Sequence, residues 1–253
     1  MRPIRSLLFY TSLFLSTVIL GTSAIVVAFI TGKANWAHLI GRLWGNLNLL
    51  AAGVKVRLKG LENLDPGQSY VFLSNHQGWF DIFTLLGKLP VQFRWLAKEE
   101  LFKIPILGPA MRASGYIPID RGDRRKAVES LNQAAVRVQN GTPIVIFPEG
   151  TRSPDGVMGE FKKGGFILAI KSQQPIAPIT ISGSYRVFPK RGDWMIHPGT
   201  IEVTIGRPIS TVGLKMKDNE ALMRTVRESI LRHLTPEEGG PLPGSELPVE
   251  NPL

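Results

Sequence analysis

The sequence predicts an α/β domain with a largely buried mixed sheet flanked by helices, and two helices that precede it. Short apolar runs alternate with segments of helical periodicity, and polar turns follow several of these runs. A chain of 253 residues can hold one domain of about 200 residues and an appendage. At the N-terminus, 27 consecutive residues from Ser6 to Gly32 carry no charge. These three observations favour a single α/β domain attached to a hydrophobic N-terminal segment.

Residues 1–33 are predicted to form a hydrophobic membrane helix. About 20 apolar residues suffice to cross the hydrocarbon core of a bilayer, and the uncharged segment is longer than that. A signal peptide is the alternative, with Arg2 and Arg5 as its positive region. Its apolar core is usually only about 7 to 15 residues long, so we expect a retained anchor.

Residues 34–53 are predicted to form an amphipathic helix. Apolar residues recur there at helical spacing, at Trp36, Leu39, Ile40, Leu43, Trp44, Leu47, Leu50 and Ala51. The two tryptophans suit a helix that lies among lipid headgroups, and packing on the soluble domain is an equal alternative. Basic residues after the apolar segment favour a cytoplasmic domain by the positive-inside rule. The sequence does not decide between a helix that crosses the membrane and a re-entrant hairpin.

Residues 54–235 carry the alternating pattern of the α/β domain. Strands are predicted at 54–58, 70–73, 93–97, 116–119, 144–147, 176–181 and 201–205. Helices are predicted from Trp79 to before Pro90, over 124–139 and over 220–234. The remaining segment, 236–253, has five prolines, no aromatic residue and four glutamates, which predicts a disordered acidic tail.

Composition restricts the chemistry that this chain can perform. The net charge is +10, and residues 1–235 alone carry +14, so anionic lipid, nucleic acid or an acidic carrier or cofactor are candidate partners. Basic and aromatic residues are not interleaved, which argues against nucleic acid. Without cysteine, thiolate metal sites, disulfides and cysteine nucleophiles are excluded, and the four histidines lack a metal-ligand spacing. We therefore expect no metal.

The segment 74–81 contains a candidate proton acceptor, His76, five positions before Asp81. In one continuous helix the two side chains would lie roughly 140° apart and would not meet. The spacing instead predicts a strand, a turn that includes Gly78, and a helix from about Trp79. A carboxylate beside a histidine orients the ring and raises its basicity. Chance pairs of this kind are common, and a lone histidine is more often structural than catalytic.

Two further polar turns follow predicted strands. Phe147 to Ser153 offers a glycine, two hydroxyls and Arg152, which suit an anion because arginine matches phosphate oxygens. A surface loop with an Arg–Glu pair is the alternative. Gly115 to Arg121 is the other turn, where Asp120 is a natural N-cap for the next helix and Arg121 faces either the site or solvent.

Taken in order, these segments resemble the four sequence blocks of the 1-acylglycerol-3-phosphate acyltransferase (lysophosphatidate acyltransferase) family. Asn75, His76 and Asp81 match its Asn-His-x-x-x-x-Asp block, and Phe147 to Ser153 matches Phe-Pro-Glu-Gly-Thr-Arg-Ser at every position. Gly115 to Arg121 and Pro175 to Ile179 match the other two blocks. The fourth block departs from the pattern at Ala177, where the family has a bulkier apolar residue, which implies an altered acyl pocket.

The resemblance implies transfer of a fatty acyl group from acyl-CoA or acyl carrier protein to the sn-2 hydroxyl of lysophosphatidate, without a cofactor. It implies that His76 is the general base and that Asp81 orients it. Two alternatives are not excluded by the sequence. The same reaction could use another acceptor, such as another lysophospholipid, glycerol 3-phosphate or a lyso-aminolipid. The protein could also be a non-catalytic membrane-binding module. A hydrolase that uses Ser74 is a third alternative, although the Gly-x-Ser-x-Gly motif is absent.

The resemblance also implies substrate-binding residues. They are Arg152, Arg121 and Lys98 around the acceptor phosphate, together with Glu149, Gly150, Thr151 and Asn75. Glu149 is expected to position Arg152 or a glycerol hydroxyl. Backbone amides near Asn75 or Gly150 are candidate oxyanion donors. Membrane lipids and the acyl donor are the expected partners, and the expected location is a bacterial inner membrane, with the domain on the cytoplasmic side. The oligomeric state stays open.

Overall fold

A computed structural model describes residues 2–190 and 194–242 of the chain. The helices are α1 (Arg2–Thr31), α2 (Ala34–Ala52), α3 (Phe80–Lys88), α4 (Leu107–Ala113), α5 (Arg124–Gln139), α6 (Gly164–Ser172), α7 (Ser184–Val187) and α8 (Asn219–Leu231). The strands are β1 (Lys55–Lys59), β2 (Val71–Ser74), β3 (Arg94–Lys98), β4 (Ile117–Ile119), β5 (Ile144–Ile146), β6 (Ile176–Ser182) and β7 (Thr200–Ile205). Each strand predicted from the sequence is present within a few residues of its expected bounds.

Within the described residues, seven strands form one mixed sheet in the order β1-β7-β6-β2-β5-β3-β4. The pairs are parallel except β6 with β7, which run antiparallel. The expected fold class is therefore confirmed. Because β2, β5, β3 and β4 are parallel neighbours, the turns that follow them emerge at the same edge of the sheet. This edge is where the polar turns of the sequence meet.

Apolar side chains cover both faces of the sheet. Phe72 of β2 packs on one face with Phe80 and Phe83 of α3, whereas Leu73 faces the other side, toward α5 and α6. Alternate residues of a strand point to opposite faces, so a strand buried on both sides is apolar throughout. The central strands β2, β5 and β6 are buried on both faces in this way.

The sequence did not predict α6. Its residues are mostly buried, so the segment is apolar on all sides and lacks the 3.6-residue alternation that marks a surface helix. A short apolar run of this kind resembles a buried strand in the sequence alone. Its helical form follows from packing between α5 and α8.

The first two helices form an antiparallel hairpin. Trp44 Nε1 donates to Thr17 Oγ1 at 3.0 Å, and Asn48 Nδ2 donates to Ser16 Oγ at 3.1 Å, which fixes their relative position. By length and composition α1 could cross a membrane. At Gly45, a Cβ would lie only 2.9 Å from the backbone oxygen of Phe83, so α2 packs closely on α3.

The hairpin also carries an exposed apolar surface. On α2 this surface is formed by Trp36, Leu39, Leu43, Leu47 and Leu50. The two alternatives for this helix are therefore combined, since one side packs on the domain and another side is apolar and exposed. Exposed apolar patches of this kind mark a membrane or protein contact.

The expectation of a disordered tail is wrong for its first residues. Pro236–Glu238 form a 3₁₀ turn, and the Glu238 side chain is buried. Its carboxylate accepts from Ser182 Oγ at 2.6 Å and from the backbone N–H of Gly183 at 2.7 Å. These bonds offset the loss of chain entropy that the composition suggested. Residues 243–253 lie outside the described residues.

Candidate active site

His76 and Asp81 meet at the carboxyl end of β2, as their spacing predicted. His76 Nδ1 lies 2.7 Å from Asp81 Oδ2. The same oxygen accepts from the backbone N–H groups of Gln77 at 2.7 Å and Gly78 at 2.8 Å. A carboxylate in this position favours the tautomer with the proton on Nδ1, which leaves Nε2 as a proton acceptor. The pair therefore has the geometry of an oriented general base.

The imidazole ring of His76 is held between its carboxylate partner and an aromatic stack. It lies parallel to the ring of Phe147, with centroids 4.0 Å apart and planes at 11°. Phe147 in turn stacks on Trp95, with centroids 5.3 Å apart. The His76 side chain is 14% exposed, whereas Asp81 is completely buried. A substrate can therefore reach the ring but not the carboxylate behind it.

Glu149 has a different role from the one expected. Its Oε1 accepts from the backbone N–H of His76 at 2.6 Å, and its Oε2 accepts from that of Gly159 at 2.8 Å. These bonds fix the turn at His76, whereas the sequence analysis expected Glu149 to position Arg152 or a glycerol hydroxyl. Burial raises the pKa of the Glu149 carboxyl to about 7, because its loss of hydration outweighs the two N–H bonds that favour the charged form.

The raised pKa of Glu149 makes folding stability depend on pH. The folded protein retains this proton between about pH 4.5 and 7, where the unfolded chain has lost it. The stabilisation that comes from this bound proton is thus fully present below pH 4.5 and is lost as the pH rises to about 7. We expect the free energy of unfolding, relative to Glu149→Gln, to fall by on the order of 3 kcal/mol across this range. Urea unfolding of both proteins at several pH values measures it.

Glu129→Gln is the control for this measurement, since Glu129 is an exposed residue of α5. A free-energy difference between wild type and Glu149→Gln that stays constant from pH 4.5 to 7.5 would contradict the assignment.

Asn75 is not part of the cavity surface, contrary to its expected place among the substrate-binding residues. Its side chain is completely buried and bonds both ways with the backbone of Ile181 on β6, at 2.8 Å each. It therefore joins the end of β2 to the neighbouring strand. Ser74 is also completely buried, and its hydroxyl donates to the backbone oxygen of Asn75 at 3.2 Å. This position does not suit a nucleophile, which argues against the hydrolase alternative.

Three expected phosphate ligands lie around the same cavity as His76. Arg121 follows β4, Lys98 ends β3, and Arg152 follows β5. The Arg152 guanidinium lies 5.0 Å from the ring centroid of Trp79, and Arg121 donates to the backbone oxygen of Gly150. Gly150 and Thr151 also line the cavity. The four strand ends thus bring a base and three cations together.

Two details of this region differ from the sequence analysis. Asp120 does not cap α5; the N-cap is Asp123, which accepts from the backbone of Arg125 and Lys126. Asp120 instead accepts from the backbone of Gly122 and Asp123 in the preceding turn. Lys98 forms an ion pair with Glu100 at 2.9 Å, so part of its charge is already compensated.

The cavity beside His76 has a volume of about 540 Å³ and is largely apolar. Its walls come from α1, α2, α3, α4 and β3, with side chains such as Leu20, Ile40, Phe83 and Met111. Periodicity indicated that these helices have apolar faces but not that the faces enclose a cavity. Ala177 lies in the core on β6 and not on the cavity surface, so its small size does not shape this cavity.

The chain is similar in sequence to known acyltransferases. A family model described as Acyltransferase matches residues 55–182. A 1-acyl-sn-glycerol-3-phosphate acyltransferase of Pseudomonas aeruginosa is 35% identical over 222 residues, which cover 84% of this chain and 83% of the relative. A chloroplast 1-acyl-sn-glycerol-3-phosphate acyltransferase of Brassica napus is 36% identical, and the match covers 76% of this chain. This chain spans 59% of the Brassica relative's length.

A solved structure has the same fold. The crystal structure of the 1-acyl-sn-glycerophosphate (LPA) acyltransferase PlsC from Thermotoga maritima superposes with a TM-score of 0.75 at 30% identity. The superposition covers 91% of this chain and 95% of the other. The likeness therefore extends well beyond the residues that the family model matches.

Proposed function

We propose, since this chain belongs to the 1-acyl-sn-glycerol-3-phosphate acyltransferase family, that it transfers a fatty acyl group from a thioester to the sn-2 hydroxyl of lysophosphatidate and so forms phosphatidate. One observation carries the proposal. The oriented His76 ring borders a cavity that has cationic side chains at one part of its surface and apolar walls elsewhere. A lysophospholipid has the same two properties, because its charged phosphate adjoins a long apolar chain.

In the proposed reaction, Nε2 of His76 takes the proton of the acceptor hydroxyl as its oxygen attacks the thioester carbonyl. The carbonyl π electrons move to oxygen, and the tetrahedral intermediate then collapses and releases the thiolate of the donor. The thiolate takes the proton from the imidazolium, so the enzyme returns to its initial state. Asp81 stabilises the imidazolium during these steps. The acceptor hydroxyl occupies the role of the serine in a protease triad.

Arg121, Arg152 and Lys98 are proposed to bind the acceptor phosphate, which carries nearly two negative charges. The apolar part of the cavity is proposed to hold acyl chain. The exposed apolar side of the helical hairpin supports attachment to a membrane, and the basic residues after α1 favour the cytoplasmic face. The return of α2 to the domain favours a re-entrant hairpin over a crossing one. The acceptor could then enter the cavity without leaving the bilayer.

One assay tests the proposed function. Purified protein in detergent is incubated with radiolabelled acyl-CoA or acyl carrier protein and a panel of acceptors: lysophosphatidate, glycerol 3-phosphate, other lysophospholipids and a lyso-aminolipid. Diacyl product with lysophosphatidate supports the proposal. Preference for a different acceptor would contradict the assignment of lysophosphatidate as the substrate. Release of free fatty acid alone would indicate a hydrolase, and binding of lipid without turnover would indicate a binding module.

Replacement of Arg152 by alanine is expected to raise KM for lysophosphatidate roughly tenfold or more, with a smaller change in kcat. The guanidinium binds phosphate in both the ground state and the transition state, so its loss weakens binding more than chemistry. Steady-state kinetics at saturating donor measure the effect. Arg124→Ala removes the same charge from the exposed start of α5 and serves as the control. An unchanged KM with a collapsed kcat would count against this role.

A further inference from the structure

Cationic side chains also reach the 150–152 turn from positions that the family motifs do not include. Lys162, from the loop before α6, lies across Gly150. A Cβ added to Gly150 would be 3.1 Å from both Cδ and Cε of this lysine and 3.2 Å from its Nζ. The backbone N–H of Lys162 donates to the backbone oxygen of Pro148 at 2.8 Å, which fixes the lysine beside the turn. Its ammonium group therefore ends next to Gly150.

A second lysine reaches the same turn from the segment between α7 and β7. Lys190 Nζ donates to the backbone oxygen of Arg152 at 2.7 Å and to Thr151 Oγ1 at 3.3 Å. Neither Lys162 nor Lys190 is among the residues that line the cavity, whereas Arg121 and Arg152 are. Both lysines are exposed, so they contact the turn outside the cavity surface.

The glycine at position 150 permits this arrangement. Gly150 has φ of +74°, a left-handed conformation that side chains rarely adopt. The same glycine leaves its Cα open to the stem of Lys162. A β-carbon here would strain the turn and displace the lysine, so the close approach depends on glycine.

The charge of Lys162 has no acidic partner in the part of the chain that the structure describes, because no carboxylate there lies within ion-pair distance. The next residue, Lys163, differs, because it pairs with Glu220 at 2.9 Å. Glu149 is close in sequence, but its carboxylate binds backbone N–H groups of His76 and Gly159. The charge of Lys162 is therefore available to an anion from solution.

We propose that Lys162 and Lys190, which contact the 150–152 turn, provide a second phosphate-binding position outside the cavity that Arg121 and Arg152 line. The inference rests on the proposed function, in which both substrates carry phosphate. Their shared chemistry is a phosphate ester, from either the acceptor headgroup or the pantetheine arm and nucleotide of the donor. An outer position suits the donor, because its thioester must reach His76 while its phosphates stay outside the cavity.

The neighbouring lysines provide a matched pair of variants. Lys162→Met and Lys163→Met remove the same charge and keep a similar stem. We measure KM for lysophosphatidate and for two donors, acyl-CoA and the phosphate-free S-acyl pantetheine. Lys162→Met is expected to raise KM for acyl-CoA roughly tenfold, the effect of a lost hydrogen bond to a charged group, and to leave KM for S-acyl pantetheine unchanged. Lys190→Met is expected to act in the same direction, and Lys163→Met is expected to match wild type.

Each outcome decides the proposal. A raised KM for lysophosphatidate alone would support the phosphate position and assign it to the acceptor. Identical constants for Lys162→Met and Lys163→Met would overturn it, as would equal losses with both donors and an unchanged acceptor KM. Thermal unfolding checks that both variants fold.

A readout independent of turnover separates this inference from the proposed function. Calorimetric titration with free coenzyme A is expected to show roughly tenfold weaker binding by Lys162→Met than by Lys163→Met. If wild type transfers no acyl group to any acceptor, the proposed function fails, and this titration alone decides the phosphate position. Equal affinities of the two variants would then reject it.

Discussion

Replacement of Asp81 by asparagine is expected to lower kcat by on the order of 10⁴, the loss seen when the carboxylate of a Ser-His-Asp triad becomes an amide. His76 Nδ1 and the backbone N–H groups of Gln77 and Gly78 all meet the same oxygen of Asp81, so the amide oxygen takes that position and still accepts from them. The variant lacks the negative charge that stabilises the imidazolium when His76 takes the proton of the acceptor hydroxyl.

Steady-state kinetics and thermal unfolding together measure this effect. Asn and Asp have nearly the same shape, so we expect a folded protein with normal KM for lysophosphatidate. Asp123→Asn is the matched control, because Asp123 caps α5 outside the cavity and asparagine is an equally good N-cap. Near-normal kcat for Asp81→Asn would show that the carboxylate charge does not stabilise the imidazolium.

Replacement of His76 by alanine is expected to lower kcat by about 10²–10⁴, the contribution of a positioned general base. The fold should persist, because the backbone N–H of His76, not its ring, makes the bond to Glu149. The double variant with Asp81→Asn should lose little more than His76→Ala alone, since the carboxylate acts through the ring.

Rates measured with labelled acyl donor test both variants of this pair. Full acyl transfer by His76→Ala would contradict the assignment of His76 as the general base. Losses that multiply in the double variant would show that Asp81 contributes through something other than His76.

The sequence predicted the parts of this protein that depend on local pattern. The five-residue spacing of His76 and Asp81 required a turn between a strand and a helix, and the structure has that turn. The strands were found because a strand buried on both faces is a continuous apolar run. Arg152 was found because a polar turn directly after such a run lies at the ligand-binding edge of a parallel sheet. Arg121 was assigned to the site by the family resemblance, because its own turn left it open to solvent.

Contacts between distant segments could not be predicted in this way. Glu149 binds the backbone of His76, 73 residues earlier, and nothing in either segment specifies the other. Asn75 bonds to the backbone of Ile181, and there too neither segment specifies the other. Glu238 was assigned to a disordered tail because composition describes the average of a segment, whereas one buried carboxylate with several partners is enough to order a turn.

The strand order has a consequence for how the protein is made. β1 pairs with β7, so Arg57 lies opposite Glu202, which leaves the ribosome 145 residues later. During this interval β1 lacks its partner strand and is a free edge. Lys55, Arg57 and Lys59 occupy alternate positions on that edge, and such charges discourage pairing with the wrong strand. The ladder between β1 and β7 therefore closes only after the other strands have been synthesised, and it ties the N-terminal part of the chain to the finished sheet.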